Sequence, residues 1–192
     1  MGPQLDCIKA QAIDHKTAVN TERKILMLPP LEAIAAEVKE MPAMLDFDPA
    51  ALPPCYHSNP KVKEAKDQGK PPPLPLALFA DGIRYKTVLA GRADAILGIW
   101  VRSLTTQRRH LLCSIRVQRM CRCGCRGWCT LHPIMSALAH SFKGLALGRR
   151  LNTFWDNTPR LPSDPYGVGG AGDELGFRAV LLYLTGCQES KQ

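Results

Sequence analysis

The chain has 192 residues and a net charge of +8, and 45% of its residues are hydrophobic. A chain of this length buries roughly 70% of its unfolded surface, which allows one domain with a core plus an appendage. Its longest apolar runs are far shorter than the roughly 20 residues that span a bilayer, and MGPQLDCIKAQAIDHK at the start lacks the pattern of a secretory signal. We therefore expect a nuclear or cytoplasmic protein with no membrane partner.

The basic residues are concentrated in the middle of the chain. Residues 1–70 carry 9 Lys and Arg against 10 Asp and Glu, whereas residues 82–160 carry 14 against 2. Clustered cations gain free energy by displacing counterions from phosphates, so DNA is the predicted partner. A solvated basic face that keeps the chain soluble is the alternative.

Residues 1–50 are predicted to form a loosely organised helical segment. The clearest pattern is LEAIAAEVKEM, residues 31–41, where apolar residues recur at helical spacing after Pro29 and Pro30. Residues 51–73 are polar and rich in proline, which indicates a linker around a short helix.

Three strands are predicted after this linker. LPLALFAD, residues 74–81, is a compact apolar run, and the DGIRY that begins at its last residue is typical of a turn. AILGIWVRSL, residues 95–104, is rich in strand formers. HLLCSIRV, residues 110–117, alternates so that Leu112 should share a face with Ser114 and Arg116. Short connections between consecutive strands predict an antiparallel meander.

A helix and one further strand are predicted in the second half. Pro133 suits the first helical position and Gly148 the position just past the end, with an apolar stripe between them. FRAVLLYLTG, residues 177–186, is short, apolar and closed by glycine, as in a buried strand. Together these elements predict an α/β fold.

Four cysteines fall within the nine residues CRCGCRGWC. Cys121, Cys123, Cys125 and Cys129 offer the thiolates that structural zinc prefers, and His132 is an alternate ligand. A reducing compartment disfavours a disulfide knot. Reduced thiols without a metal are one alternative, and redox chemistry is another, although these spacings differ from the C-x-x-C redox motif.

Asp81 is the leading candidate for a catalytic residue. A carboxylate at the edge of a core can hold Mg²⁺ or Mn²⁺ for phosphoryl displacement. The alternative is that it only forms the turn of DGIRY. GVGGAG, residues 167–172, matches a dinucleotide-binding pattern but lacks the strand and helix that the pattern needs, so we interpret it as a loop.

Four segments together resemble a known family. LPLALFADGIRY, ILGIWVRSLTTQRRHLLCSIR, CRCGCRGWCTLHP and AGDELGFRAVLLYLTG resemble, in this order, segments of mobile-element proteins similar to Plavaka and other CACTA-type transposases. The resemblance covers roughly residues 55–189. It implies an RNase H-like core, in which a three-stranded meander bears the first metal-binding carboxylate and a strand after a helix bears the second.

The chain departs from the family at the second carboxylate. In the family an aspartate follows the glycine that ends the later strand, whereas here Cys187 follows Gly186. A thiol is a poor ligand for Mg²⁺, because hard cations prefer oxygen. Glu189 is a weak substitute because it lies close to the end of the sequence, where order is usually lost. The resemblance therefore leaves Asp81 as the one matching metal ligand.

Our leading hypothesis is a degenerate, truncated transposase-like domain that binds DNA and has lost its strand-transfer chemistry. The domain would span residues 74–189, with a Cys-rich insertion at 119–132. The predicted phosphate contacts are Arg108, Arg109, Arg116, Arg119, Arg122 and Arg126. Neutralising six phosphates would give a slope of about −5 for log affinity against log salt concentration.

Two other interpretations stay open. The first is a non-enzymatic zinc-binding module that contacts nucleic acid or another protein. The second is a fragment that folds poorly because its sheet lacks later elements.

Overall fold

The computed structural model describes residues 5–14, 17–86, 93–160 and 172–186, apart from the side chains of 84–94 and 186. The strands are β1 (Asp6–Ile13), β2 (Asn20–Met27), β3 (Leu74–Lys86), β4 (Ala93–Ser103), β5 (Arg109–Arg116) and β6 (Ala179–Gly186). The helices are α1 (Pro30–Glu40), α2 (Pro54–Ser58), α3 (Pro60–Asp67) and α4 (Trp128–Leu147). The predicted α/β class is confirmed, since a four-stranded mixed sheet and a two-stranded antiparallel sheet are combined with helices.

The larger sheet has the strand order β5-β4-β3-β6. β3 pairs antiparallel with β4, and β4 pairs antiparallel with β5. β6 lies parallel to β3 on its other side, with Ala80 opposite Gly186. A parallel neighbour needs a crossover connection, and α4 lies within the connection between β5 and β6.

β3 is longer than the sequence predicts. DGIRY is not a turn, because Asp81 pairs with Gly98 and Gly82 pairs with Leu97 within the antiparallel ladder of β3 and β4. Residues 82–86 continue the strand because β4 is long enough to supply partners for each of them. The interpretation of Asp81 as a turn former is therefore wrong.

A β-bulge changes the faces of β5. Ile99 pairs with Cys113 and Trp100 pairs with Leu111, so Leu112 is the extra residue. Leu112 is buried and Leu111 is 49% exposed. The predicted grouping of Leu112 with the exposed Ser114 is therefore wrong, because one inserted residue reverses the alternation of side chains.

The helical prediction for residues 1–50 is wrong at its start. β1 and β2 form an antiparallel hairpin in which Ile8 is opposite Ile25. Ile8, Ala10 and Ala12 are buried while the residues between them are exposed, which is the period-two pattern of a strand with one covered face. α1 follows as predicted, and both elements contribute to the main hydrophobic core.

The predicted linker contains more regular structure than the sequence indicates. Residues 51–73 contain α2 and α3, and the buried Tyr56 of α2 donates a hydrogen bond to the carbonyl of Pro73 at 2.7 Å.

α4 ends at Gly148 in the left-handed conformation, as predicted, but it begins five residues before Pro133. Pro133 has no N–H to donate to the carbonyl of Cys129, so α4 lacks one helical hydrogen bond at this point.

A buried carboxylate joins α1 to the sheet. Glu37 is 1% exposed, and its Oε2 lies 2.7 Å from Nε2 of His110 on β5. Thr106 donates a hydrogen bond to its other oxygen. Burial alone would raise the pKa of Glu37, but these hydrogen bonds outweigh it and hold the pKa below its ordinary value of 4.5.

Glu37→Gln is expected to lower the free energy of unfolding at pH 7 by about 1–3 kcal/mol, because hydrogen bonds to a buried charged acceptor are lost. Because the pKa of Glu37 is lowered in the folded state, the contribution of its carboxylate to the free energy of unfolding is complete above the ordinary value of 4.5. This contribution disappears as the pH falls through the folded-state pKa. Urea denaturation should therefore show a smaller difference between variant and wild type at pH 3 than at pH 7.

Glu40→Gln is the matched control, one turn along the same helix. Glu40 is exposed and pairs with Arg108 in water, so its loss should change stability far less. Equal destabilisation by the two variants would contradict a special role for Glu37.

Candidate metal centre and basic surface

Four sulfur atoms lie together at the start of α4. The Sγ atoms of Cys121, Cys123, Cys125 and Cys129 are all within 4.8 Å of one another. Those of Cys123 and Cys129 are 3.6 Å apart. Tetrahedral zinc with Zn–S bonds of about 2.3 Å would place its sulfurs roughly 3.8 Å apart. The cluster can therefore hold a metal ion, and its donors suit structural zinc.

The backbone among the cysteines is left-handed at three residues: Gly124, Arg126 and Gly127. Gly124 has a φ of 91° and Gly127 a φ of 85°, values that glycine adopts without strain. A Cβ on Gly127 would lie 3.0 Å from the sulfur of Met120, so this position is also crowded. These glycines allow a chain of only nine residues to fold its four cysteines inward.

The N-terminal hairpin supports this loop. The backbone N–H of Cys121 donates to Oγ1 of Thr130 at 2.9 Å, and that hydroxyl donates to the carbonyl of Gln11 on β1. Met120 also forms an antiparallel bridge with Ala12. The loop sequence carries no signal for this support, because its partners lie more than a hundred residues earlier in the chain.

The thiols differ strongly in acidity. The backbone N–H of Cys129 donates to Sγ of Cys125 at 3.4 Å and lowers the pKa of Cys125 to about 6. The contact of Cys129 with Cys125 raises the pKa of Cys129 to about 12. The pKa of Cys121 is also raised: the N–H of Cys123 lowers it, but contacts with neighbouring thiols and burial outweigh that effect. One thiolate at the helix N-terminus is thus stabilised by its neighbours.

His132 is outside the group of mutually close ligand atoms that the four cysteines form. Its ring instead contacts the exposed Trp128, with ring centroids 5.5 Å apart. The seven described cysteines are all free of disulfide bonds.

The six predicted arginines separate into three sets. Arg108 forms a two-pronged ion pair with Glu40, at 2.7 and 3.2 Å, and its charge is matched there. Arg109 and Arg116 are on β5, where the guanidinium of Arg109 lies 5.9 Å from the centroid of the Phe79 ring. The remaining three are exposed around the sulfur cluster: Arg119, Arg122 and Arg126.

Asp81 lines a separate pocket of about 280 Å³ on the four-stranded sheet. It is exposed, and its strand partner Gly98 has no side chain. Because Ala80 is opposite Gly186, Asp81 lies beside the end of β6. Asp81 is the one carboxylate that lines this pocket within the described part of the chain. Cys187 and Glu189 lie outside the described residues, as does most of the 167–172 loop.

Comparison with models of protein families, with curated proteins and with solved structures gives no match for this chain. The functional interpretation therefore depends on the chain's own residues. Within its described part, no helix has the length and apolar character that a bilayer crossing requires.

The chain is expected to bind one zinc ion and to release protons as it does so. Cys121 and Cys129 are protonated near pH 7 because their pKa values are raised, and both must lose the proton to bind metal. Apparent zinc affinity should therefore increase as pH rises from 6 to 8. Competition titration with a chromophoric chelator, together with native mass spectrometry, measures affinity and stoichiometry.

Cys125→Ser and Cys129→Ser should weaken zinc binding by at least about tenfold each, since a hydroxyl is a poor substitute for a thiolate. Cys7→Ser is the matched control, because Cys7 is exposed on β1 and outside the cluster. Equal loss in the control, or a stoichiometry of zero in the wild type, would contradict the metal site.

Proposed function

We propose that this chain is a degenerate transposase-like domain with an RNase H-like core, which binds duplex DNA through arginines on a zinc-stabilised loop. The proposal depends most on the position of Asp81 beside the end of β6. In the transposases that the sequence resembles, the first two metal-binding carboxylates would occupy these two positions.

The order of the elements supports an RNase H-like core. β3, β4 and β5 are consecutive antiparallel neighbours, α4 follows, and β6 then pairs in parallel with β3. This is the order that the resemblance implies. Helix α4 contributes Ile134, Leu138 and Leu145 to the core beneath the sheet, so it packs as the crossover helix of such a unit.

The chemistry at Asp81 supports loss of cleavage activity. Two-metal phosphodiester cleavage needs several carboxylates that hold two divalent ions. Asp81 lines the pocket without a second described carboxylate, and the sequence places Cys187 where the family has its aspartate. Mg²⁺ or Mn²⁺ would therefore be held weakly, if Asp81 alone supplied the charge.

The loop arginines support binding to DNA. Arg119, Arg122 and Arg126 are exposed, and no ion pair joins them to a described carboxylate, in contrast to Arg108. A zinc ion would hold the loop that bears two of them in one conformation. Rigid cations lose less entropy when they bind backbone phosphates, and phosphate contacts supply most of sequence-independent affinity.

A non-enzymatic zinc module that contacts another protein is the second candidate. Asp81 is the one described carboxylate at the sheet pocket, and this favours the second candidate because a domain that never cleaved DNA needs no further metal ligand there. Both candidates require zinc, so DNA binding separates them.

Arg122→Ala/Arg126→Ala is expected to weaken binding to duplex DNA and to reduce the salt dependence. Each lost phosphate contact removes about 0.9 from the slope of log affinity against log salt, so the slope should become shallower by about 2. Fluorescence anisotropy with a labelled 20-base-pair duplex at several salt concentrations measures this change.

Lys63→Ala/Lys66→Ala is the control, because it removes the same charge from the exposed surface of α3. It should leave the slope nearly unchanged. If both double variants change the slope equally, the effect is due to net charge, and the loop is not the binding surface.

Nicking of supercoiled DNA with Mn²⁺ is expected to be the same for the wild type and Asp81→Ala, at the background of a buffer control. The physical reason is that one carboxylate cannot organise two metal ions. Activity that is present in the wild type and absent in Asp81→Ala would instead establish a working nuclease.

A further inference from the structure

The proposed function leaves most of one surface of the four-stranded sheet unexplained, although Asp81 lies on it. The side chains of the core, including Leu78 and Val101, lie on the same side of the sheet as α4. Residues that alternate with them form the opposite surface, which we call the open face. Its described members include Phe79, Asp81, Ile83, Trp100, Arg109, Leu111, Arg116 and Thr185.

Two large apolar side chains are exposed on the open face. Ile83 is 57% exposed and Leu111 is 49% exposed, although each belongs to a strand with a well-paired ladder. Exposed apolar residues that adjoin one another often mark a binding surface.

Two aromatic side chains lie next to each other at the centre of this face. Phe79 on β3 is directly opposite Trp100 on β4. The indole of Trp100 extends over Gly98, where an added Cβ would be only 2.0 Å from the ring atom Cη2. Glycine at this position therefore lets the indole lie against the sheet. We call the adjacent rings of Phe79 and Trp100 the aromatic platform.

The pocket on this platform suits one small planar group. Its volume is about 280 Å³, below the usual range of pockets that enclose a drug-sized ligand. Phe79 and Trp100 line it together with Asp81 and Thr185, which offer a carboxylate and a hydroxyl for hydrogen bonds. A nucleobase has both the flat surface and the polar edge that such a lining would contact.

The charges on the open face favour an anionic ligand. Arg109 lies over the ring of Phe79, and Arg116 is exposed at the far end of β5. Asp81 is the one acidic side chain among the described members of this face. One cation over the Phe79 ring and a second at the other end of β5 could bind successive phosphates of a strand whose bases lie on the rings.

We propose that the open face binds single-stranded nucleic acid, with unpaired bases stacked on Phe79 and Trp100 and phosphates bound by Arg109 and Arg116. A duplex hides the flat surfaces of its bases, so the platform would favour a single strand. Sheets that bind RNA commonly stack bases on aromatic side chains in this way. The proposal is independent of the cysteine loop, whose arginines serve the duplex in the proposed function.

The test measures binding of the full chain to three labelled probes: a 15-nucleotide oligodeoxyuridylate, a 15-nucleotide oligouridylate and a 15-base-pair duplex. Phe79→Leu and Trp100→Leu should each raise the Kd for a single strand by at least about fivefold, which is the lower range for loss of one stacked base. Neither change should alter the Kd for the duplex by more than about twofold. A difference between the two single strands would show whether a 2′-hydroxyl is recognised.

Two controls keep the result interpretable. Phe154→Leu makes the same change at a half-buried phenylalanine whose ring also lies below a guanidinium, that of Arg160 at 4.5 Å, but away from the sheet. It should bind both single strands as the wild type does. Trp100→Phe keeps an aromatic ring and should retain affinity within about twofold, and circular dichroism with thermal unfolding confirms that each variant is folded.

The outcomes separate this proposal from the proposed function. Wild-type affinity in Phe79→Leu and Trp100→Leu, equal loss in Phe154→Leu, or no binding of the wild type to either single strand would overturn the open face as a binding site. Single-strand binding that needs Phe79 but not Arg122 and Arg126 supports it, even if the duplex does not bind at all.

Discussion

The parallel pairing of β6 with β3 determines where both candidate sites lie. Parallel neighbours cannot be joined by a hairpin, so the chain must cross from one edge of the sheet over its face before β6 can form. The crossover contains the cysteine loop and α4, and its last strand ends beside Asp81. The cysteine loop therefore lies on the path of this crossover, and the sheet pocket lies where the crossover ends.

The cysteine loop depends on contacts with the N-terminal hairpin of β1 and β2. Thr130 connects the loop to Gln11 of β1, and β1 packs against α4. Metal binding and folding are coupled when ligands come together only in the folded chain. Zinc would thus stabilise the contact between the hairpin and α4 as well as the loop, and the N-terminal segment is part of the domain's core.

The basic centre of the chain is divided by the fold into surfaces with different properties. Arg108 is used within the protein, where Glu40 matches its charge. Arg109 and Arg116 accompany exposed apolar and aromatic side chains on the sheet, whereas Arg122 and Arg126 accompany thiols. A count of charges along the sequence predicts an anionic partner, but it cannot distinguish these surfaces. Their separation supports one surface for duplex phosphates and another for unpaired bases.

The sequence by itself determined the α/β class, the existence of β3 to β6, the end of α4 at Gly148 and the gathering of four cysteines, because each follows from local composition or close spacing. It missed the hairpin of β1 and β2, although Ile8, Ala10 and Ala12 alternate there. The bulge at Leu112, the ion pair of Arg108 and the platform of Phe79 and Trp100 were decided only by the tertiary structure. The physical reason is that strand register and side-chain pairing depend on residues far apart in the chain, whose mutual positions no local pattern contains.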